Sequence, residues 1–228
     1  MSTARDWLQL NERIGACARC PRLREYGDRI AVEKRAAYRD ETYWGRPIPN
    51  LGDPEARLLL VGLAPGAHGA HRTGRMFTGD GAGDFLFDGL RAAGLAAGPA
   101  GEESLLGAAI TGVIHCAPPG NRPLAAEIAA CAEHLDGTVD RLPRLAGIVA
   151  LGGVAFDATV RLLRRRGVPL GPTRPRFGHG VRVLPAGGPF LLASYHTSRL
   201  NTSTKRLTRP MLLAVLREAA RRAGLAAG

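Results

Sequence analysis

Four short apolar runs separated by helical patterns set the strongest limit on what this chain can fold into. Residues 57–63, 109–115, 146–151 and 190–195 are Leu-rich or β-branched, have strand length and are bounded by Gly or Pro. Helix-spaced stripes lie between and after them: Phe85, Leu86 and Leu90 in 83–93, then Ile128, Cys131, Leu135 and Val139 in 125–142. Two more follow, with Val160 and Leu163 in 156–166, and Leu212, Val215, Leu216 and Ala219 in 208–223. Strands alternating with helices imply βαβ units, whose crossovers put helices on both faces of a parallel sheet. The predicted fold class is α/β, a three-layer αβα sandwich around a mostly parallel central sheet of about four strands. A chain of 228 residues suits one such domain, so residues 1–228 are read as a single unit. Two stretches lack a period: 29–51, expected to run extended over the core, and 167–180, where Gly, Pro and Arg predict a surface loop or loose hairpin into 181–184.

Thirty-one Lys and Arg against 20 Asp and Glu give a net charge of +11, a field that attracts polyanions. Nucleic acid is the leading partner class; the bland alternative is solubility charge, or the Arg usage of a GC-rich genome. The apolar runs are far shorter than a membrane span requires, which predicts a soluble chain. No apolar secretory region follows Met1, so the expected compartment is the reducing cytoplasm, where disulfides are rare.

Cysteines are few and patterned. Cys17, Cys20, Cys116 and Cys131 fall as C-x2-C, a gap of 95 residues, then C-x14-C. Four thiolates with a tight leading pair suit an iron-sulfur cluster or zinc, and would tie the N-terminus to the middle of the chain. Buried free thiols and disulfides are the lesser readings.

Loops at the carboxyl ends of parallel strands form the ligand crevice of such folds, and three informative segments fall there. The first, Gly62-Leu63-Ala64-Pro65-Gly66 through Arg72-Thr73-Gly74-Arg75-Met76-Phe77-Thr78-Gly79-Asp80, is long, polar and Gly-rich, without either common phosphate-binding glycine motif. Its glycines let backbone amides approach a flat ligand. Phe77 is a stacking platform or a loop anchor, and Asp80 a water-orienting carboxylate or a helix cap. His68 and His71 lack the further ligands of a metal site. The second segment, Cys116-Ala117-Pro118-Pro119-Gly120-Asn121, ends in an amide that could read a base edge or sit in a turn. The third runs from His196 to Arg206; Ser198, Arg199, Lys205 and Arg206 suit phosphates, Leu200 suits a wedge, and His196 stands where strand gives way to loop.

Together these segments resemble the uracil-DNA glycosylase superfamily, and most closely its family 5, over most of the chain from about Cys17 into the last helix. The resemblance implies a monofunctional glycosylase that excises uracil, and other deaminated bases such as hypoxanthine, from double-stranded DNA. It implies a 4Fe-4S cluster on Cys17, Cys20, Cys116 and Cys131, with a structural role. Asp80, Asn121 and His196 would be the catalytic set, and Gly62, Leu63, Ala64, Pro65, Gly66, Phe77 and Asn201 would contact the base. The DNA would be held by Ser198, Arg199, Leu200, Lys205 and Arg206, and the enzyme would act as a monomer.

Departures matter. Ala64 and its apolar neighbours stand where families 1 and 4 carry a polar or acidic residue, so water activation falls to Asp80. Gly112 replaces the Asn by which family 4 reads uracil, which predicts relaxed selectivity. His71 stands where Asn is expected and His115 where Arg is expected. The rival functions are a non-catalytic damaged-DNA-binding relative, an iron-sulfur redox protein, and a glycosylase forming a covalent adduct with DNA, for which His71 would be the candidate.

Overall fold

In the computed structural model, which describes residues 2–225, the predicted apolar runs form the middle of one sheet. The elements are α1 (Ser2–Gly15), α2 (Pro21–Glu33), β1 (Leu51–Gly52), β2 (Leu58–Gly62), α3 (Ala70–Thr73), α4 (Gly81–Ala92), β3 (Ala96–Ala97) and β4 (Ser104–Leu105). They continue with β5 (Ala108–Gly112), α5 (Ala125–Asp140), β6 (Gly147–Leu151), α6 (Gly153–Arg165), β7 (Arg182–Val183), β8 (Phe190–Ser194), α7 (Arg199–Ser203) and α8 (Arg209–Arg222). Single 3-10 turns sit at Ala36–Tyr38 and Pro119–Asn121.

The strand order is β1-β5-β2-β6-β8-β7, with β5, β2, β6 and β8 parallel and the two edges antiparallel. The sheet therefore has six strands rather than about four. The additional two are two-residue edge strands, too short to leave a period in the sequence. Every residue of the four parallel strands is buried, as expected of a sheet covered on both faces.

Alternation along β2 assigns the layers. Leu58 and Leu60 pack with Leu86 and Leu90 of α4 and Leu212 and Leu216 of α8, whereas Leu59 and Val61 pack with Phe156 and Leu163 of α6, Leu135 of α5 and Trp7 of α1. This is the three-layer αβα sandwich. The helix after β2 leaves to one face and those after β5 and β6 to the other, so the loops part at β2 and open a crevice at its carboxyl end.

The N-terminal helices are additions to the sequence reading. Trp7, Leu10 and Ile14 form a buried stripe on α1, and Trp7 Nε1 donates to the Gly52 carbonyl at 3.1 Å. Helix α2 starts at Pro21, whose fixed φ suits a first turn, and it runs to Glu33, into the stretch expected to be extended. From Lys34 to Asn50 the expectation holds, apart from the 3-10 turn. Residues 167–180 carry no helix or strand, also as expected. Among the described residues no helix is long and apolar enough to cross a membrane.

Candidate active site

The crevice holds a cavity of about 780 Å³ at the carboxyl ends of β2, β5 and β8. Gly62, Leu63, Ala64, Pro65 and Gly66 form part of its wall, joined by Phe77, Asp80, Asn121, His196, Ser198 and Arg199. Residues separated by more than a hundred positions thus meet in one place, including all three expected catalytic residues.

Asp80 caps α4 and also faces the cavity. Its Oδ1 accepts from the Ala82 and Gly83 amides, each at 3.0 Å. Its Oδ2 lies against Gly66 and Gly69: a Cβ at Gly66 would come to 2.7 Å from that oxygen, and one at Gly69 would overlap it. The glycines of the first loop thus make room for a carboxylate. The cap reading of Asp80 holds, and the same residue lines the cavity.

Phe77 adopts φ +52, a left-handed conformation that is costly for a bulky residue. Its ring reaches over β2, where a Cβ at Gly62 would meet it at 2.8 Å, and lies 6.0 Å from the His196 ring at 32°. The strained backbone presents an aromatic face in the cavity wall beside the imidazole.

His196 follows β8. The Ser198 amide donates to its Nδ1 at 3.0 Å, so the neutral ring carries its proton on Nε2. Burial lowers its pKa, against an opposing pull from Asp80, which favours that neutral donor form. Asn201 does not line the cavity; its Nδ2 donates to the His196 carbonyl at 2.8 Å, which braces the loop. Leu200, 72% exposed on α7, is free to protrude. Lys205 is exposed beyond that helix, and Arg206 lies over the Tyr195 ring at 4.7 Å. Neither lines the cavity.

Asn121 has φ +57 in the turn after β5, a conformation Asn tolerates, and its exposed side chain closes the cavity from the side of Pro118. Gly112 and Thr111 lie at the end of β5, and Thr111 Oγ1 is buried without a hydrogen-bond partner. Thr111 was not foreseen, since a Thr inside an apolar strand reads as β-propensity. Arg35 and Tyr38 also line the cavity and were missed, because they come from a segment with no period.

The two unexpected histidines face elsewhere. His71 is 2% exposed, and its Nε2 donates to the Gly27 carbonyl at 2.9 Å, while His115 Nδ1 donates to the Ile48 carbonyl at 2.6 Å. Neither lines the cavity, so His71 is not placed as a nucleophile there. His68 Nδ1 pairs with the Tyr43 hydroxyl at 2.9 Å.

The four cysteines are free thiols that line one narrow cavity, with Leu23, Ile114 and Ala130 around them. Burial pushes the Cys116 and Cys131 thiols up to about 12, while a hydrogen bond from the His115 backbone favours the Cys131 thiolate. Arg22 and Glu127 form a bidentate pair at 2.7 and 2.8 Å beside them, joining α2 to α5. Among the described residues no group of three or more His, Cys, Asp or Glu is placed to hold a metal ion. The four cysteines thus share one cavity.

Residues 49–220 match the profile of the uracil DNA glycosylase superfamily, and the chain belongs to that superfamily. Within it, the chain is 48% identical over 218 residues to the type-5 uracil-DNA glycosylase of Thermus thermophilus, covering 93% of this chain and 96% of that one. It is 44% identical to the type-5 uracil-DNA glycosylase of Mycobacterium tuberculosis, covering 95% of this chain and 82% of the relative. It is 42% identical to that of Pyrobaculum aerophilum, covering 97% and 96%.

Proposed function

We propose that this chain excises uracil from double-stranded DNA by hydrolysing the N-glycosidic bond, leaving a free base and an abasic site without strand scission. The observation that carries this reading is the convergence of Asp80, Asn121, Phe77 and His196 on one cavity, in a chain whose relatives are named type-5 uracil-DNA glycosylases.

A stacked base is out of reach, so the nucleotide must turn out of the helix, at a cost of a few kcal/mol that is lower at a mismatch. Leu200 fills the vacated stack and Phe77 stacks on the extruded base. As the bond to the sugar breaks, negative charge grows on the base and positive charge on the sugar. The His196 Nε2–H, held by the Ser198 amide on its other nitrogen, donates to the base, with amides of the 63–66 loop beside it. Asp80 Oδ2 orients the attacking water and offsets the sugar's charge, while Asn121 contacts base or water. Gly112 offers no side chain to read a uracil edge, and a cavity of about 780 Å³ has room for a purine, so hypoxanthine belongs among the substrates.

Cys17, Cys20, Cys116 and Cys131 would hold a 4Fe-4S cluster. All four thiols line one cavity, and an all-thiolate donor set of this kind fits an iron-sulfur cluster. When bound, the cluster supplies a covalent brace between the N-terminal segment, the rim loop at Cys116 and α5. The enzyme works as a monomer in the cytoplasm, on nucleoid DNA.

Base release from U·G, U·A and hypoxanthine duplexes tests the activity. Release by the wild type that is lost in both Asp80→Ala and His196→Ala is expected; no release, or equal release by all three proteins, overturns it. Iron and acid-labile sulfide in the purified protein, both lost in Cys131→Ser, test the cluster.

A further inference from the structure

The 3-10 turn at Ala36–Tyr38 brings Tyr38 into the cavity lining, and Arg35, which also lines it, stands at the turn's start. Among the described residues Arg35 is exposed and makes no ion pair, whereas Arg72, which lies beneath the same turn, is paired with Glu41. Arg199 of α7, which lines the same cavity, makes none either. The two cations come to the cavity from different segments, Arg35 from the start of the 3-10 turn and Arg199 from α7. Arg35 also lines an adjoining cavity of about 270 Å³ with His68, Pro118 and Asn121, and Arg199 does not.

The turn is held in place before any ligand arrives. The Arg72 guanidinium stacks on the Tyr38 ring at 3.9 Å and pairs with Glu41, while its Nε and a terminal nitrogen donate to the His68 and Gly79 carbonyls at 2.9 and 3.0 Å. Arg72 therefore fastens the turn carrying Arg35 to the loop carrying Asp80. An exposed guanidinium without a carboxylate, on a fixed support at the mouth of a cavity, is suited to an anion from outside.

A nucleotide that enters this cavity base-first leaves its two phosphates at the mouth, one on each side of the sugar. We infer that Arg35 and Arg199 form a clamp on these two phosphates, with Arg35 binding one from the N-terminal segment and Arg199 the other from α7. This rests on the DNA glycosylase reading and adds a second wall to the DNA-binding surface, opposite the 198–206 segment.

Each phosphate neutralised releases condensed counterions and adds about 0.9 to the slope of log affinity against log salt on duplex DNA. Binding is measured on a duplex carrying a cleavage-resistant 2′-fluorinated uracil nucleotide, across a salt series, with thermal melts confirming that each variant folds. The expected result is a slope lower by about 0.9 in Arg35→Gln, restored in Arg35→Lys, and lower by about 1.8 in the Arg35→Gln, Arg199→Gln double variant. Arg174→Gln, which removes a surface partner of Asp157, serves as the control with an unchanged slope. A wild-type slope in Arg35→Gln overturns the clamp, and so does an equal loss in Arg35→Lys, which would mark a shape effect rather than a charge contact. Uracil release by the wild type, run alongside, separates the two levels: its absence sinks the glycosylase reading, whereas release with an unchanged Arg35→Gln slope sinks the clamp alone.

Discussion

Asp80 serves folding through one oxygen and the cavity through the other, so substitution can separate the two roles. Oδ1 takes the Ala82 and Gly83 amides at 3.0 Å, and Oδ2 lies over Gly66 and Gly69 in the cavity wall. Asp80→Asn keeps an oxygen of the same reach, and Asn caps about as well as Asp, so stability should hold within about 0.5 kcal/mol. It removes the anion. A carboxylate acting on water contributes roughly 10² to 10⁴ in rate, or about 3–5 kcal/mol of barrier, so base release should slow by that much. Asp80→Ala should slow release equally and also lose the cap, about 1 kcal/mol, which lowers Tm by about 2–4 °C in a chain of this size. Single-turnover release from a U·G duplex under enzyme excess, with melting curves of the three proteins, supplies both readouts. If Asp80→Asn releases uracil within about threefold of wild type while Asp80→Ala melts early, the side chain is a cap alone and the catalytic assignment fails.

Other substitutions test the surrounding geometry. Gly69→Ala places a Cβ onto Asp80 Oδ2, and the displaced carboxylate should cost about 10²-fold in release; an unaffected rate would show that Oδ2 need not sit there. Asn201→Ala removes the 2.8 Å bond to the His196 carbonyl, worth about 1 kcal/mol, so kcat should fall roughly fivefold. A rise in KM at constant kcat would instead return Asn201 to the base-contacting role read from the sequence. His71 is held below its ordinary pKa, mainly by burial. The unfolded chain, titrating near 6.5, then binds that proton more readily, so stability present above pH 6.5 is lost as pH falls below it. Chemical denaturation between pH 7 and 5 should show a shallower loss in His71→Asn than in wild type, and parallel curves would refute the assignment.

The sequence made the sheet legible because a strand buried on both faces needs an unbroken apolar run, and all four runs coincide with β2, β5, β6 and β8 to within a few residues. The first rim loop was legible for a similar reason, since its composition is unsuited to a core. The N-terminal half was harder. Trp7, Leu10 and Ile14 do carry a helical period, but charged and polar residues surround them and no strand follows closely to suggest a crossover. Arg35 and Tyr38 left no signal at all, because their importance comes from what Arg72 and the 62–80 loop place beside them. Asn201 shows the converse: its amide suits a base edge in sequence, and the fold turns it onto the carbonyl of its loop neighbour His196.

The cysteines and the cavity are separate in chemistry but joined in structure. Cys20 is the N-cap of α2, and further along that helix the Gly27 carbonyl takes the buried Nε2–H of His71. The approach is close enough that a Cβ at Gly27 would stand 2.8 Å from the imidazole, so helix and ring can pack this way only with glycine there. His71 lies in α3, whose last carbonyls accept from the Trp44 and Gly45 amides at 2.8 and 3.3 Å, and its neighbour Arg72 holds the Gly79 carbonyl next to Asp80. Anything that fixes Cys20 therefore bears, through one helix and one histidine, on the loop that aims the carboxylate. A brace at the cysteines needs no place in the reaction to matter for it. Its effect should fall on the position of Asp80 and the Arg35 turn, while His196, which follows β8, is held mainly by the Ser198 amide and by Asn201 on its carbonyl.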